Sequence, residues 1–240
     1  MYLSEKIFSF FHRFVEKQYH LKRFSKILTK LTGTENPIIF DVGGNEGESI
    51  DFFLNLFENP TIYSFEPEMK SYQKLVKKYG NNKTINLFNL AFGVKKEELK
   101  LKINIKSSTS TFSKINTQSK YYNFKSSILN PGKNGTFLCE EKVQVEKIDN
   151  FFNEKKINTI HILKIDTEGF ELNVIKGAKE TLQKTKIIIM EFQLNDMYLD
   201  YDPNKIENFL ISNNFDLVKS LKFPFMQYED RVYINKKIST

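Results

Sequence analysis

From Asn36 onward the chain alternates short apolar runs with stretches in which apolar residues recur every three or four positions. Ile38-Ile39-Phe40-Asp41-Val42 is apolar but for one acid and is bounded by Pro37 and Gly43-Gly44. A run of that length between breakers reads as a strand buried on both faces. Ser49 to Phe57 then reads as a helix, Thr61 to Phe65 as a second strand, Met69 to Tyr79 as a helix stopped by Gly80-Asn81-Asn82, and Thr84 to Ala91 as a third strand. Strand, helix, strand, helix, strand predicts a parallel sheet covered on both faces, with right-handed crossovers.

The middle is less regular. Glu98 to Ile105 alternates as a strand does, Ser107 to Thr111 is an unbroken hydroxyl run, and Asn116 to Gly135 is polar with turn pairs at Pro131-Gly132 and Asn134-Gly135. Residues 116–135 are expected to form a surface excursion or lid. Regularity returns with a strand at Lys142 to Val145, a short helix at Ile148 to Phe152 and a strong strand at Ile160 to Ile165. A helix from Glu171 to Gln183, a strand from Lys186 to Met190 ending at Glu191, a helix from Pro203 to Ser212 and strands at Phe215 to Leu221 and Arg231 to Ile234 complete the pattern. The expected division is an N-terminal helical extension over 1–35 and one domain over 36–240.

Charge changes the picture at the N-terminus. The formal net charge is +7 over 240 residues. Seven basic residues against three acidic ones place +4 of it within Met1 to Asn36. The same segment carries apolar stripes at helical spacing, Ile7, Phe8, Phe11, Phe14 and Val15, then Leu21, Phe24, Ile27, Leu28 and Leu31. Two readings stand: a helical cap packed on the domain, or a basic amphipathic surface that lies on an acidic membrane or binds a partner. The single Cys139 excludes an intramolecular disulfide, and the scattered His12, His20 and His161 give no zinc spacing. Apolar runs fall far short of the roughly 20 residues of a membrane span, and charges interrupt any secretory-signal centre at the N-terminus. A cytoplasmic protein is expected, peripheral at the inner membrane surface on the second of these two readings.

Candidate chemistry gathers at strand ends. In an open doubly wound sheet, ligands bind at the carboxyl ends of the strands where strand order reverses. Asp41 and the glycine turn follow the first strand, Glu66 the second, Asn89 the third, Asp166 and Glu168 the fourth major one, and Glu191 the next. Each acid alone could cap a helix, but five carboxylates at one rim would repel one another unless they held a ligand. The turn reads Asp41-x-Gly43-x-x-x-Gly47, neither the Gly-x-Gly-x-x-Gly of a dinucleotide site nor a Walker loop. An acid leading the turn disfavours phosphate and suits a zwitterionic or cationic cofactor such as S-adenosyl-L-methionine, with Glu66 accepting its ribose hydroxyls. An NAD site also uses such an acid, so an NAD-dependent oxidoreductase remains the enzyme alternative.

The blocks Ile39 to Gly47, Phe65-Glu66-Pro67, Asn89 to Gly93, the hydroxyl run from Ser107, and Leu163-Lys164-Ile165-Asp166-Thr167-Glu168-Gly169-Phe170-Glu171 with Gly177 resemble the FkbM-type family of S-adenosylmethionine-dependent methyltransferases. Gly44 and Phe170 depart from the alanines more common there. The resemblance implies an α/β fold, a Rossmann-like doubly wound, seven-stranded, mostly parallel sheet with a last antiparallel strand (class I methyltransferase), and O-methylation of a hydroxyl on a sugar, glycan or other small metabolite. The cofactor set is then Asp41, Gly43, Gly44, Asn45, Gly47, Ser49, Glu66, Pro67, Asn89, Ala91 and Asp166.

The corner Asp166-Thr167-Glu168-Gly169 lacks the Pro-Pro-aromatic motif of base-nitrogen methyltransferases, which favours an oxygen acceptor. A carboxylate there can take the proton of an attacking hydroxyl. Asp166 is the first catalytic candidate, Glu168 and Glu191 the next, and Lys164, two positions before Asp166 on the same strand face, could orient the carboxylate or act itself. Glu168 could instead cap the helix from Glu171, and Glu191 could hold a rim amide. His161, at the opposite end of its strand, is expected to be structural, and no metal is assigned. The non-enzyme alternative is a basic nucleic-acid-binding module, against which stands the interleaving of basic and acidic residues in the main domain.

Overall fold

The computed structural model describes residues 21–132, 135–222 and 227–238. The apolar pattern over residues 1–20 lies outside them. The described part of the N-terminal segment is helix α1 (Leu21–Thr32), whose Phe24 and Leu28 are buried. There follow β1 (Ile38–Val42), α2 (Glu48–Leu56), β2 (Thr61–Phe65), α3 (Met69–Tyr79), β3 (Ile85–Phe88), β4 (Ala91–Phe92) and β5 (Glu97–Asn104). Helix α4 (Lys120–Leu129), β6 (Phe137–Glu146), α5 (Ile148–Glu154), β7 (Ile160–Ile165), α6 (Glu171–Lys176) and α7 (Lys179–Leu182) come next. The last elements are β8 (Thr185–Gln193), α8 (Pro203–Ser212), β9 (Phe215–Lys222) and β10 (Tyr228–Asn235).

The main sheet runs β3-β2-β1-β7-β8-β10-β9. Every pairing from β3 to β8 is parallel, and β10 lies antiparallel between β8 and β9. Strand order therefore reverses between β1 and β7, which opens a crevice at their carboxyl ends. Alternation along β1 sorts the core into two layers. Ile39, with Ile62 and Ile162, packs beneath α1, α2 and α3 through Leu28, Phe53 and Leu75. Phe40, with Phe65 and Leu163, packs against α5 to α8 through Phe151, Val174, Leu182 and Leu210.

Two expectations are corrected. The strand expected over Thr84 to Ala91 splits: after Phe88 the chain leaves the main sheet, and Ala91–Phe92 joins a separate three-stranded sheet, β4-β6-β5. Asn89 makes the break, its amide donating to the carbonyls of Glu66 and Pro67 instead of continuing a ladder. The helix expected from Glu171 to Gln183 breaks at Gly177-Ala178, where the backbone passes so close to the Gly93 carbonyl that a Cβ at Gly177 would overlap it. Asp149 restarts it by accepting from the amides of Glu180 and Thr181. The segment expected as a surface excursion holds a helix, α4, whose Tyr121 and Tyr122 are buried in a cluster with Met197 and Tyr198. Among the described residues no helix is long and apolar enough to cross a membrane.

Candidate functional site

Register places the first polar triad. Asp41 on β1 faces Ser64 on β2 and Lys164 on β7, so three side chains meet on one face of adjacent strands. The Asp41 carboxylate is fully buried: Oδ2 accepts from Ser64 Oγ at 2.9 Å and Ser49 Oγ at 2.8 Å, and Oδ1 lies 3.4 Å from Lys164 Nζ. Asp41 and Ser49 thus hold the turn from inside. The amides of Gly43 and Gly44 both donate to Phe65 O. Gly43 and Gly47 have φ of 88° and 93°, the left-handed region that glycine enters without strain. A Cβ at Gly43 would overlap Asp166 O, so the turn presses directly on the Asp166 backbone. Tyr79 of α3 donates to Gly47 O at 2.9 Å and clamps the turn from the other side.

Glu66 closes this half. It is 7% exposed, with Oε2 accepting from Asn45 N at 2.7 Å and Oε1 from Glu68 N at 2.8 Å. Burial pushes its carboxyl up to about 7 against these two amides, which favour the charged form. Asn45, itself at φ 44°, accepts from Ser107 of the hydroxyl run at 2.9 Å. Asn89 fixes the Glu66-Pro67 path as described, whereas Ala91 lies in the second sheet, paired with Val145.

The other half is an open cleft of about 760 Å³, solvent included, lined by Asp166, Glu168, Glu191 and Gln193, by Tyr121, Phe124, Lys125, Ile128 and Leu129 of α4, and by Lys106, Ser108, Thr109 and Tyr228. Burial raises Asp166 to about 6, opposed by Lys164 Nζ 3.4 Å from its Oδ2 and assisted by the charges of Glu168 and Asp230. Glu191 is pushed well above the carboxylate range by burial, then by Asp166, Glu168 and Asp230. Its Oε1 accepts from the Gln193 amide at 2.6 Å, a side-chain donor rather than a rim amide. Lys164, caught between Asp41 and Asp166, is held protonated: burial lowers it, and the two carboxylates more than offset the burial.

Glu168 does not cap α6. Its residue sits at φ 51°, its carbonyl accepts from Thr111 Oγ1 at 2.6 Å, and its Oε2 accepts from Tyr198 OH at 2.6 Å. The helix start is held instead by buried Glu171, whose Oε1 reaches back to the Thr167 amide, the Thr167 hydroxyl and the Gly169 amide. His161, at the far end of β7, accepts from the Ile38 amide. Sequence reasoning missed Glu171, Lys125, Gln193, Tyr198 and Asp230. Glu171 carried a signal, an acid three residues after Glu168 at a helix start. The others come from elements distant in sequence. Among the described residues no group of three or more His, Cys, Asp or Glu is arranged to hold a metal ion.

A sheet in this order with one inserted antiparallel strand, and a glycine turn and acids at its carboxyl edge, defines a class I methyltransferase. The particular family follows from comparison: residues 41–217 match the Methyltransferase FkbM domain, and the chain belongs to that family. It is similar to the 2-O-methyltransferase NoeI of Sinorhizobium fredii (strain NBRC 101917 / NGR234), with 24% identity over 177 residues covering 71% of this chain and 69% of that protein. Among solved structures, magnesium protoporphyrin IX methyltransferase (ChlM) from Synechocystis PCC 6803 aligns with a TM-score of 0.48 and 11% identity, over 92% of this chain and 81% of that one. The Methanococcus jannaschii fibrillarin pre-rRNA processing protein aligns at 0.47 and 9%, over 85% and 68%.

Proposed function

We propose that the chain uses S-adenosyl-L-methionine to methylate a hydroxyl of a sugar, glycan or other small metabolite, with Asp166 as the general base. One observation carries this reading: Asp166 belongs to both halves of the site, its backbone against the Gly43 turn and its carboxyl in the cleft with Glu168 and Glu191. The residues present fit the cofactor. Glu66 offers a buried two-oxygen acceptor already oriented by two backbone amides, suited to vicinal ribose hydroxyls, and the turn from Gly43 to Gly47, whose spacing matches no phosphate-binding motif, suits an amino-acid tail. When bound, the cofactor supplies a methyl group on a sulfonium.

The chain's own residues do the rest. Asp166, at about 6, is ionised at neutral pH yet basic enough to take the acceptor's proton. Lys164 orients it from the strand below. Glu191, its carboxyl pushed up by burial and by its acidic neighbours, supplies a second carboxyl beside Asp166 in the cleft. The name of the Sinorhizobium relative supports an oxygen acceptor. Cytoplasmic placement, and contact of the basic N-terminal segment with an anionic membrane surface, belong to the same proposal; co-sedimentation with anionic against neutral vesicles tests the contact. The central test is calorimetric titration with S-adenosylhomocysteine beside NAD, then transfer of labelled methyl to hydroxyl-bearing nucleotide sugars and glycans. Binding of NAD alone overturns the cofactor. Methylation of RNA that is insensitive to Asp166→Asn overturns the acceptor and the base.

A further inference from the structure

The hydroxyl run beginning at Ser107 reaches both halves of the site. It follows β5 as a single 3₁₀ turn, Ser107–Thr109, and Thr111 then bridges back to Lys102 of β5. On the glycine-turn side the Ser107 hydroxyl donates to Asn45 Oδ1 at 2.9 Å. At the other end the Thr111 hydroxyl donates to Glu168 O at 2.6 Å and the Ser113 hydroxyl to Gly169 O at 2.9 Å. That end is itself fixed: Thr111 and Ser113 are buried, the Ser113 amide donates to the Thr111 hydroxyl, and Lys102 Nζ donates to Ser113 O. The two residues so held share a conformation. Asn45 and Glu168 stand at φ 44° and 51°, and the other left-handed residues besides glycine among those described, Lys156 and Asn214, sit where such a residue closes α5 and α8.

We propose that residues 107–113 form a strap of positioning residues: Ser107 holds Asn45 in the shape of the glycine turn, and Thr111 and Ser113 hold Glu168 in the conformation that presents its carboxyl to the cleft. The proposal rests on the methyl-transfer reading for what the two halves bind, and deepens it by naming what orients the acceptor-side Glu168. Left-handed backbone costs a glutamate more than an asparagine, and it persists only where the surroundings over-determine it. The corner meets that condition. The Thr167 and Gly169 amides donate to Glu171, the Glu168 and Gly169 carbonyls accept from the strap, and Tyr198 donates to Glu168 Oε2. A backbone at Glu168 that relaxed to negative φ would swing its Cβ and carry the carboxyl away from Tyr198 and from Lys125, whose Nζ lies 4.0 Å from Oε2 on the cleft side. Asn45 has the lighter hold, its amide on Glu66 and its side chain on Ser107, in keeping with the smaller cost there.

The test reads both ends on the full chain. Amide–Hα couplings with Cα and Cβ shifts report φ by NMR. In Thr111→Val, which keeps the shape and removes the hydroxyl, the Glu168 signature should leave its left-handed values and the contact of its side chain with the Tyr198 ring should be lost; Thr111→Ser should restore both. An unmoved Glu168 overturns the strap at this end, and Ser113→Ala is read in the same way should the valine variant fail to fold. At the other end Ser107→Ala should weaken S-adenosylhomocysteine binding by roughly three- to tenfold, the scale of one hydrogen bond. In an Asn45→Gly background the same substitution should change nothing, because glycine enters the left-handed region unaided. An equal loss in both backgrounds makes Ser107 a direct contact and overturns its positioning role, as does no loss in either. Should the unmodified chain bind no S-adenosylhomocysteine, the cofactor reading falls, and the Asn45 and Glu168 couplings in the hydroxyl-free variants decide the strap on their own.

Discussion

The two halves of the site are built on opposite plans. On the glycine-turn side nearly every polar atom is committed to the protein: Asp41 to two hydroxyls and Lys164, Glu66 to two amides, Asn89 to two carbonyls, Asn45 to Ser107. On the cleft side Asp166, Glu168 and Glu191 line an open space, each with a partner among the described residues on one carboxyl oxygen only, against a wall contributed by α4. The first plan fixes a backbone shape before any ligand arrives, so binding there costs little ordering. The second raises Asp166 to about 6 and pushes Glu191 well above its ordinary range, perturbations of the kind that mark sites of chemistry. On the proposed function, one fold edge separates a rigid recognition side from an open side for chemistry.

The comparison breaks most visibly at Asp166, the residue both halves share. Asp166→Asn keeps the shape and the backbone contact with Gly43 but removes proton acceptance. Turnover should fall by ~10²- to 10⁴-fold, while S-adenosylhomocysteine affinity, read by calorimetry, changes little. Loss of affinity at unchanged turnover would move Asp166 wholly to the cofactor side.

Glu66 tests whether the committed side stores electrostatic cost. Its carboxyl binds a proton more tightly folded, at about 7, than at the ordinary 4.5. Its contribution to stability is therefore fully present below about pH 4.5 and lost as pH rises through 7, on the order of 3 kcal/mol for a buried group. Glu66→Gln imitates the protonated form, so thermal melting across this window should flatten. Glu171, also raised to about 7 by burial, leaves a residual slope. A variant that keeps the full slope would show that Glu66 is ionised in the folded chain throughout.

How much was legible in the sequence follows the same divide. The glycine-turn side is assembled from strand ends, and a strand end is visible as an apolar run meeting Gly, Asp or Glu; Asp41, Gly43, Gly47, Glu66 and Asp166 could be placed together because a parallel sheet aligns its carboxyl ends. The cleft wall was not legible. Tyr121 and Lys125 sit on a helix of weak amphipathic pattern inside a polar stretch, Gln193 extends a strand past its apparent end at Glu191, and Asp230 reaches the corner only through antiparallel pairing with Glu191. Periodicity reports which face of an element is buried, not which distant element will cover it. The broken helix after Glu171 failed for a related reason, since the Gly93 carbonyl that demands Gly177 lies in another part of the chain.

Gly44 gives the finest test of how tightly the committed side is fitted. It is not among the glycines of positive φ, so its backbone alone does not exclude alanine. What excludes it is Ser64: an added Cβ would overlap the Ser64 hydroxyl and approach Asp41 Oδ2 to 3.2 Å. Gly44→Ala must therefore displace a hydroxyl that donates to a buried carboxylate, at a cost of about 1–2 kcal/mol. Ser64→Ala loses the same hydrogen bond but opens the space, so in that background Gly44→Ala should cost almost nothing. The double-mutant cycle, read by urea unfolding, should return a coupling on the order of 1 kcal/mol in favour of the double variant. Strict additivity would mean that Ser64 yields without strain and that the turn is looser than its hydrogen bonds imply.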